Sequence, residues 1–167
     1  MSTGTHSQTT QVGKQVISNG LTIIGTEAGC GKTVFMTGLA AMLRQQGVAL
    51  GAVKPISFAS KDRAESEISF ICSISGTPRN YATTVISSAK NLSEAQWEHS
   101  LSIGRDSSQF MFVETPGGCA SPMSFEQNSV GTLAHSWKDT RDFARELGYS
   151  CVIVAHHNQD AIEKLVL

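Results

Sequence analysis

Three short stretches of this chain carry residues suited to phosphoryl chemistry. The first is Gly25-Thr26-Glu27-Ala28-Gly29-Cys30-Gly31-Lys32-Thr33. A turn of this kind converges backbone N–H groups on a phosphate, and a helix opening behind it adds partial positive charge. Gly29, Cys30, Gly31, Lys32, Thr33 and Val34 are the expected nucleotide-phosphate ligands. Gly31 allows a backbone shape that a side chain would obstruct. Lys32 is placed to reach the β- and γ-phosphates, and the Thr33 hydroxyl to ligate Mg²⁺. The common spacing would put the first glycine at position 26, which is Thr26. Gly25 lies one residue further out, so the loop is a lengthened variant.

The second stretch is Lys54-Pro55 and the third is Glu114 followed by Pro116-Gly117-Gly118. Each closes a short apolar run, and ligands of open α/β sheets sit at the carboxyl ends of strands. Phosphoryl transfer needs positive charge around the migrating group and a metal held by oxygen ligands. Lys32 and Lys54 would supply the first; Thr33 and Glu114, joined by Glu67, the second. A solvated helix face is an equally good reading of Glu67, and a solvated strand end is the plain alternative for Lys54.

Elements must then bring these stretches together. Leu21–Ile24, Val48–Val53, Phe110–Val113 and Cys151–Ala155 read as buried strands. Helices are expected over Thr33–Gln46, Asp62–Ser75, Leu92–Gly104, Lys138–Leu147 and Gln159–Val166, with Gly47, Gly76 and Gly148 as stops. On the first, Val34, Met36, Leu39, Ala40 and Leu43 fall near a 3.6 period; on the second, Ile68, Ile71 and Cys72 share a face. Val16-Ile17-Ser18 before Asn19-Gly20 reads either as a strand and tight turn or as a lead-in. Thr115–Gly131, rich in Pro, Gly and Ser, reads as a loop. Alternating strands and helices predict an α/β domain: a parallel sheet flanked by helices in three layers, as in P-loop NTPases. Residues 1–13 are expected to be a disordered tail and 14–167 the ATPase domain.

Composition narrows the function. The chain has 167 residues, 40% of them hydrophobic, which suits one domain with a core. Thirteen Lys and Arg against fourteen Asp and Glu leave a net charge of -1, which disfavours bulk electrostatic binding to nucleic acid. No apolar run approaches the ~18 residues of a membrane span. Cys30, Cys72, Cys119 and Cys151 are widely and irregularly spaced, which favours reduced, mostly buried thiols over a zinc site or disulfides. Trp97 and Trp137 read as packing residues, and His156-His157 as a polar loop rather than a metal site.

Taken in order, Gly25-Thr26-Glu27 with Gly31-Lys32-Thr33, then Lys54-Pro55-Ile56, then Val113-Glu114-Thr115-Pro116-Gly117-Gly118 with Ser121-Pro122, the motifs resemble dethiobiotin synthetase. The third is most similar to the synthetase half of the eukaryotic bifunctional biotin enzymes. The resemblance spans roughly residues 21–155. It implies that CO2 carbamylates 7,8-diaminononanoate and that the carbamate attacks the γ-phosphate of ATP. The second amine then closes the ureido ring of the carbamic–phosphoric anhydride and expels phosphate. It implies Lys32 and Lys54 as catalytic residues, with Thr33, Glu67 and Glu114 on Mg²⁺. Lys54, Ser57, Gly117, Gly118 and Asn158 would then contact substrate. A homodimer is also implied. Cytoplasm is the default compartment, and the resemblance to the eukaryotic form keeps the mitochondrial matrix open; from charge and apolar runs, neither nucleic-acid nor membrane partners are expected.

The sequence departs from the family at several places. Ala28 replaces a hydroxyl residue. Phe58 stands where a substrate-contacting Ser is usual, leaving Ser57 or Ser60 to substitute. The chain is shorter than family members and lacks their later adenine-recognising segment, so a truncated version of the fold is expected. The competing expectation is a catalytically degenerate relative that binds nucleotide without turnover. A partition-type ATPase is disfavoured because the early loop has no lysine, and an amidotransferase because the chain has no room for a glutaminase region.

Overall fold

The computed structural model describes residues 19–79, 84–87, 91–105, 109–126 and 136–156. The expected tail, the possible strand at 16–18 and the helix at 159–166 lie outside them. The chain forms β1 (Gly20–Gly25), α1 (Lys32–Gln45), β2 (Leu50–Val53), β3 (Ile56–Ser57), α2 (Lys61–Ser75) and β4 (Val85–Ile86). It continues through α3 (Glu94–Gly104), β5 (Phe110–Glu114), β6 (Pro122–Glu126), β7 (Ser136–Asp139), α4 (Thr140–Leu147) and β8 (Ser150–Val154).

Four strands form one parallel sheet in the order β2-β5-β1-β8. Successive residues of a strand face opposite sides, and β5 shows the consequence. Phe112 joins Ile23, Leu50 and Ala52 under Met36 and Ala40 of α1 and Ile71 of α2. Met111 and Val113 face the other way, against Trp97 and Leu101 of α3 and Phe143 and Leu147 of α4. Strands buried on both faces need apolar residues at consecutive positions, hence the unbroken Phe110–Val113 run. The expected three-layer P-loop architecture is therefore present. No helix among the described residues is long and apolar enough to cross a membrane.

Several boundaries differ from the sequence reading. Val48 is 41% exposed and its N–H closes the end of α1 on Leu43 O, so β2 starts only at Leu50. Gly20 is not in a turn; it begins β1, and Asn19 O accepts from Met111 N at 2.8 Å. A Cβ on Gly20 would lie 2.6 Å from the Tyr149 ring and 2.7 Å from Met111 O, so close packing is what requires glycine there. The stretch after Glu114 is not all loop, because β6 pairs antiparallel with β7. Lys138 accordingly lies in β7, and α4 begins after Asp139, whose carboxylate accepts from the N–H groups of Arg141 and Asp142. Ser93 caps α3 in the same way, reciprocated by Gln96.

Some burial expectations also shift. Val34 leaves the apolar face of α1 and is 67% exposed. Among the cysteines only Cys30 is buried; Cys72 and Cys119 are partly exposed and Cys151 is exposed. Trp97 is a core residue, edge-on to Phe143 at 5.4 Å, with its indole N–H on Glu146. Trp137 pairs across the hairpin with Phe125 and stays half exposed.

Candidate nucleotide site

The loop after β1 turns on two glycines. Gly29 and Gly31 have φ of +79° and +97°, in the left-handed region that side chains resist. Gly31 is the N-cap of α1 and offers no side-chain cap, and the first turn carries no acid. The first intrahelical bond runs from Phe35 N to Gly31 O, so the N–H groups of Lys32, Thr33 and Val34 have no intrahelical acceptor. Gly25 is needed for space, since a Cβ there would lie 2.5 Å from Cys30 Sγ and 2.8 Å from Lys32 Nζ. Lys32 is buried, and its ammonium donates to Gly117 O at 2.7 Å and Glu27 O at 3.2 Å. It thereby ties the phosphate loop to the loop after β5.

The other two strand ends meet this loop. Glu114, 2% exposed at the tip of β5, accepts from Thr33 Oγ1 at 2.9 Å. Lys54, just past β2, places Nζ 3.4 Å from the same Glu114 oxygen and 2.6 Å from Glu67 Oε2 on α2. Arg63, one helical turn before Glu67, approaches its other oxygen at 3.4 Å. Thr33, Lys54, Glu67 and Glu114 thus form one connected cluster, with Glu67 partly exposed on the wall of the same cleft.

The loop after β5 completes the wall. Gly117 has φ +67°, and a Cβ on Gly118 would lie 2.7 Å from Thr26 O. Ser121 Oγ accepts from Gly118 N at 2.7 Å. The N-terminus of α4 braces the turn, with Thr140 N donating to Ser121 O at 3.1 Å. Asp139 holds that N-terminus. Burial pulls its pKa up, but hydrogen bonds from the Arg141 side chain and the Arg141 and Asp142 N–H groups outweigh this. With the nearby Arg141 charge, they keep the carboxyl below its usual range.

These residues enclose a cleft of about 440 Å³. Gly29, Gly31, Lys32, Thr33, Val34, Lys54, Ser57, Glu67, Glu114 and Gly117 all line it. Cys30 lies behind the loop, its sulfur 4.0 Å from Lys32 Nζ. Ser57 is buried in β3 and faces the cleft, whereas Ser60 is exposed at the start of α2. Asn158 lies outside the described residues. Sequence reasoning missed Arg63 and gave Ser121 no role, although both line the cleft. The spacing Arg63-x-x-x-Glu67, one helical turn, was the available signal for the first.

The donor set fits Mg²⁺. Thr33, Glu67 and Glu114 offer hard oxygen ligands, and Glu114 Oε2 is buried with no hydrogen-bond partner among the described residues. An orphaned carboxylate oxygen at this depth costs about 1–3 kcal/mol, more when charged, unless a cation or donor meets it.

Comparison with known families agrees with this geometry. A model for an AAA domain, AAA_26, matches residues 19–167. Such domains are found in dethiobiotin synthetase-type P-loop ATPases. No curated protein matches the chain. A match over most of the chain, together with a phosphate loop on a parallel sheet, places this protein in the AAA domain family of P-loop nucleotide-binding ATPases.

Proposed function

We propose that the protein is a dethiobiotin synthetase-like ligase, using Mg-ATP and CO2 to close the ureido ring of 7,8-diaminononanoate. The observation that carries this reading is the meeting of three strand-end motifs. Lys54 Nζ and Thr33 Oγ1 both lie within 3.4 Å of one Glu114 oxygen, beside the phosphate loop. A carboxylate there suits the metal of phosphate-loop enzymes in general; the second lysine is what attack by a carbamate on a γ-phosphate adds. Both reactants are anionic, and their approach requires fixed positive charge.

In this reading Lys32 and the N–H groups of residues 29–34 bind the triphosphate. Lys54 holds the carbamate oxygen near the γ-phosphorus. That oxygen forms the new P–O bond while ADP departs. The second amine then attacks the carbamoyl carbon, loses its proton and expels phosphate. Thr33, Glu67 and Glu114 would hold Mg²⁺, which neutralises charge on the phosphates when bound. Ser57 and Gly117 line the cleft and would contact the diamine, as would Gly118 only through the edge it leaves free beside Thr26. Phe35 and Met42, apolar and exposed on α1 outside the cleft, support a homodimer.

Phe58 supports the competing reading of a nucleotide-binding relative without turnover. It lines the cleft with an aromatic side chain at a position where a hydroxyl would serve a polar substrate. Phosphate release from ATP, assayed with diaminononanoate and bicarbonate together and each alone, separates the two. Release that requires both establishes the ligase; ATP binding with no release under any combination establishes the relative without turnover.

A further inference from the structure

We propose that Lys54 is a tethered counter-cation for the metal-binding carboxylates, released toward the phosphoryl group only when a divalent cation takes those carboxylates over. The inference rests on the Mg-ATP reading above and adds an order of events to it. The Lys54 ammonium lies 2.6 Å from Glu67 Oε2 and 3.4 Å from Glu114 Oε1. The latter oxygen also accepts from Thr33 at 2.9 Å. The lysine therefore lies against the oxygens best suited to Mg²⁺. Two carboxylates converging in a largely buried cleft repel each other, and a positive charge between them holds them in place. Lys54 supplies it, with Arg63 touching only the outer oxygen of Glu67.

The backbone at Lys54 is fixed, so a change of partner must come from its ion-paired side chain. Pro55 follows it, the Lys54 carbonyl accepts from Thr84 Oγ1 at 2.7 Å, and Pro55 O accepts from Val85 N at 2.8 Å. The four-carbon stem and compact ammonium are the adaptable part. A divalent cation on Glu67 and Glu114 repels that ammonium, and a nucleotide bound in the same cleft would offer it phosphate oxygens instead. Coupling of this kind is reciprocal. Whatever draws Lys54 off the carboxylates tightens metal binding, and metal binding frees Lys54. Charge would thus reach the transferring group only after the site is loaded.

Mn²⁺ alone, titrated into the full chain without nucleotide and followed by the resonance signal of the free ion, tests this. Lys54→Met should bind Mn²⁺ at least tenfold more tightly than wild type, while Lys54→Arg, which keeps the charge, should stay within about threefold. Equal or weaker binding by Lys54→Met would overturn the proposal, since a lysine that merely organises the carboxylates gives that result. Tight binding by Lys54→Arg would overturn it as well. Should Lys54→Met fail to fold, wild type serves: saturating Mg²⁺ should speed acetylation of Lys54 several-fold, leaving Lys61, 78% exposed, unchanged. An unchanged Lys54 rate contradicts the proposal. Mg-ATP titration of the same preparations reports separately on the nucleotide reading, so the two can fail independently.

Discussion

Gly118→Ala tests the apposition of two loops on which the site depends. The added Cβ would lie 2.7 Å from Thr26 O, 3.2 Å from Thr26 C and 3.3 Å from the Glu27 Cα. All three are backbone atoms, so no side chain can rotate away. Ordinary contact begins near 3.4 Å, and the loop after β5 must retreat by about 0.7 Å from Thr26 O. If Gly117 moves with it, the Lys32 Nζ–Gly117 O bond lengthens from 2.7 Å to about 3.4 Å and is weakened. Overpacking of this kind costs about 1–3 kcal/mol. Near 2 kcal/mol, a chain of this size should lose roughly 4–8 °C in Tm. Gly38→Ala is the control. Nothing lies within 4 Å of its added Cβ, and it sits inside α1, where Gly→Ala should stabilise by about 0.5–1 kcal/mol. Thermal unfolding of the three proteins decides. An unchanged Tm for Gly118→Ala would show that the loops are not in contact.

Lys32→Ala should weaken ATP binding by titration calorimetry roughly 10- to 150-fold, the worth of charged hydrogen bonds of about 1.5–3 kcal/mol. Asp139→Ala should cost about 1 kcal/mol at neutral pH through the lost cap of α4. Because the folded carboxyl is held below its usual pKa, its contribution is present above about pH 4 and fades as pH falls further, so denaturant midpoints of variant and wild type should converge in acid. Phe112→Ala, at a fully buried position in the central sheet, should cost about 3–5 kcal/mol by urea unfolding.

The sheet and the phosphate loop were legible because their signals are local. Phe110–Val113 is a continuous apolar run, as a strand covered on both faces must be, and Gly31-Lys32-Thr33 opens an amphipathic helix directly. The strand order was not legible, because β5 inserts between β1 and β2 through contacts distant in sequence. The β6–β7 hairpin was hidden by its composition: Pro122 is tolerated at the start of a strand with a single partner, and Ser124 and Lys138 carry no apolar signal. A capping signal was present at Asp139-x-x-Asp142 and would have placed the start of α4 correctly. Lys54 and Glu67 are thirteen residues apart on different elements. Their pairing follows from how α2 packs beside β2, which periodicity cannot reveal.

Ligase chemistry at this site depends most on the convergence of Lys32, Lys54 and Glu114 on one triphosphate. A crystal structure with Mg²⁺ and an unhydrolysable ATP analogue tests it directly. Lys32 should lie on the β- and γ-phosphates, Thr33 and Glu114 on the cation, and Lys54 Nζ should have turned from Glu67 to a γ-phosphate oxygen. Nucleotide bound elsewhere, or a γ-phosphate beyond the reach of Lys54 and Glu114, would contradict it.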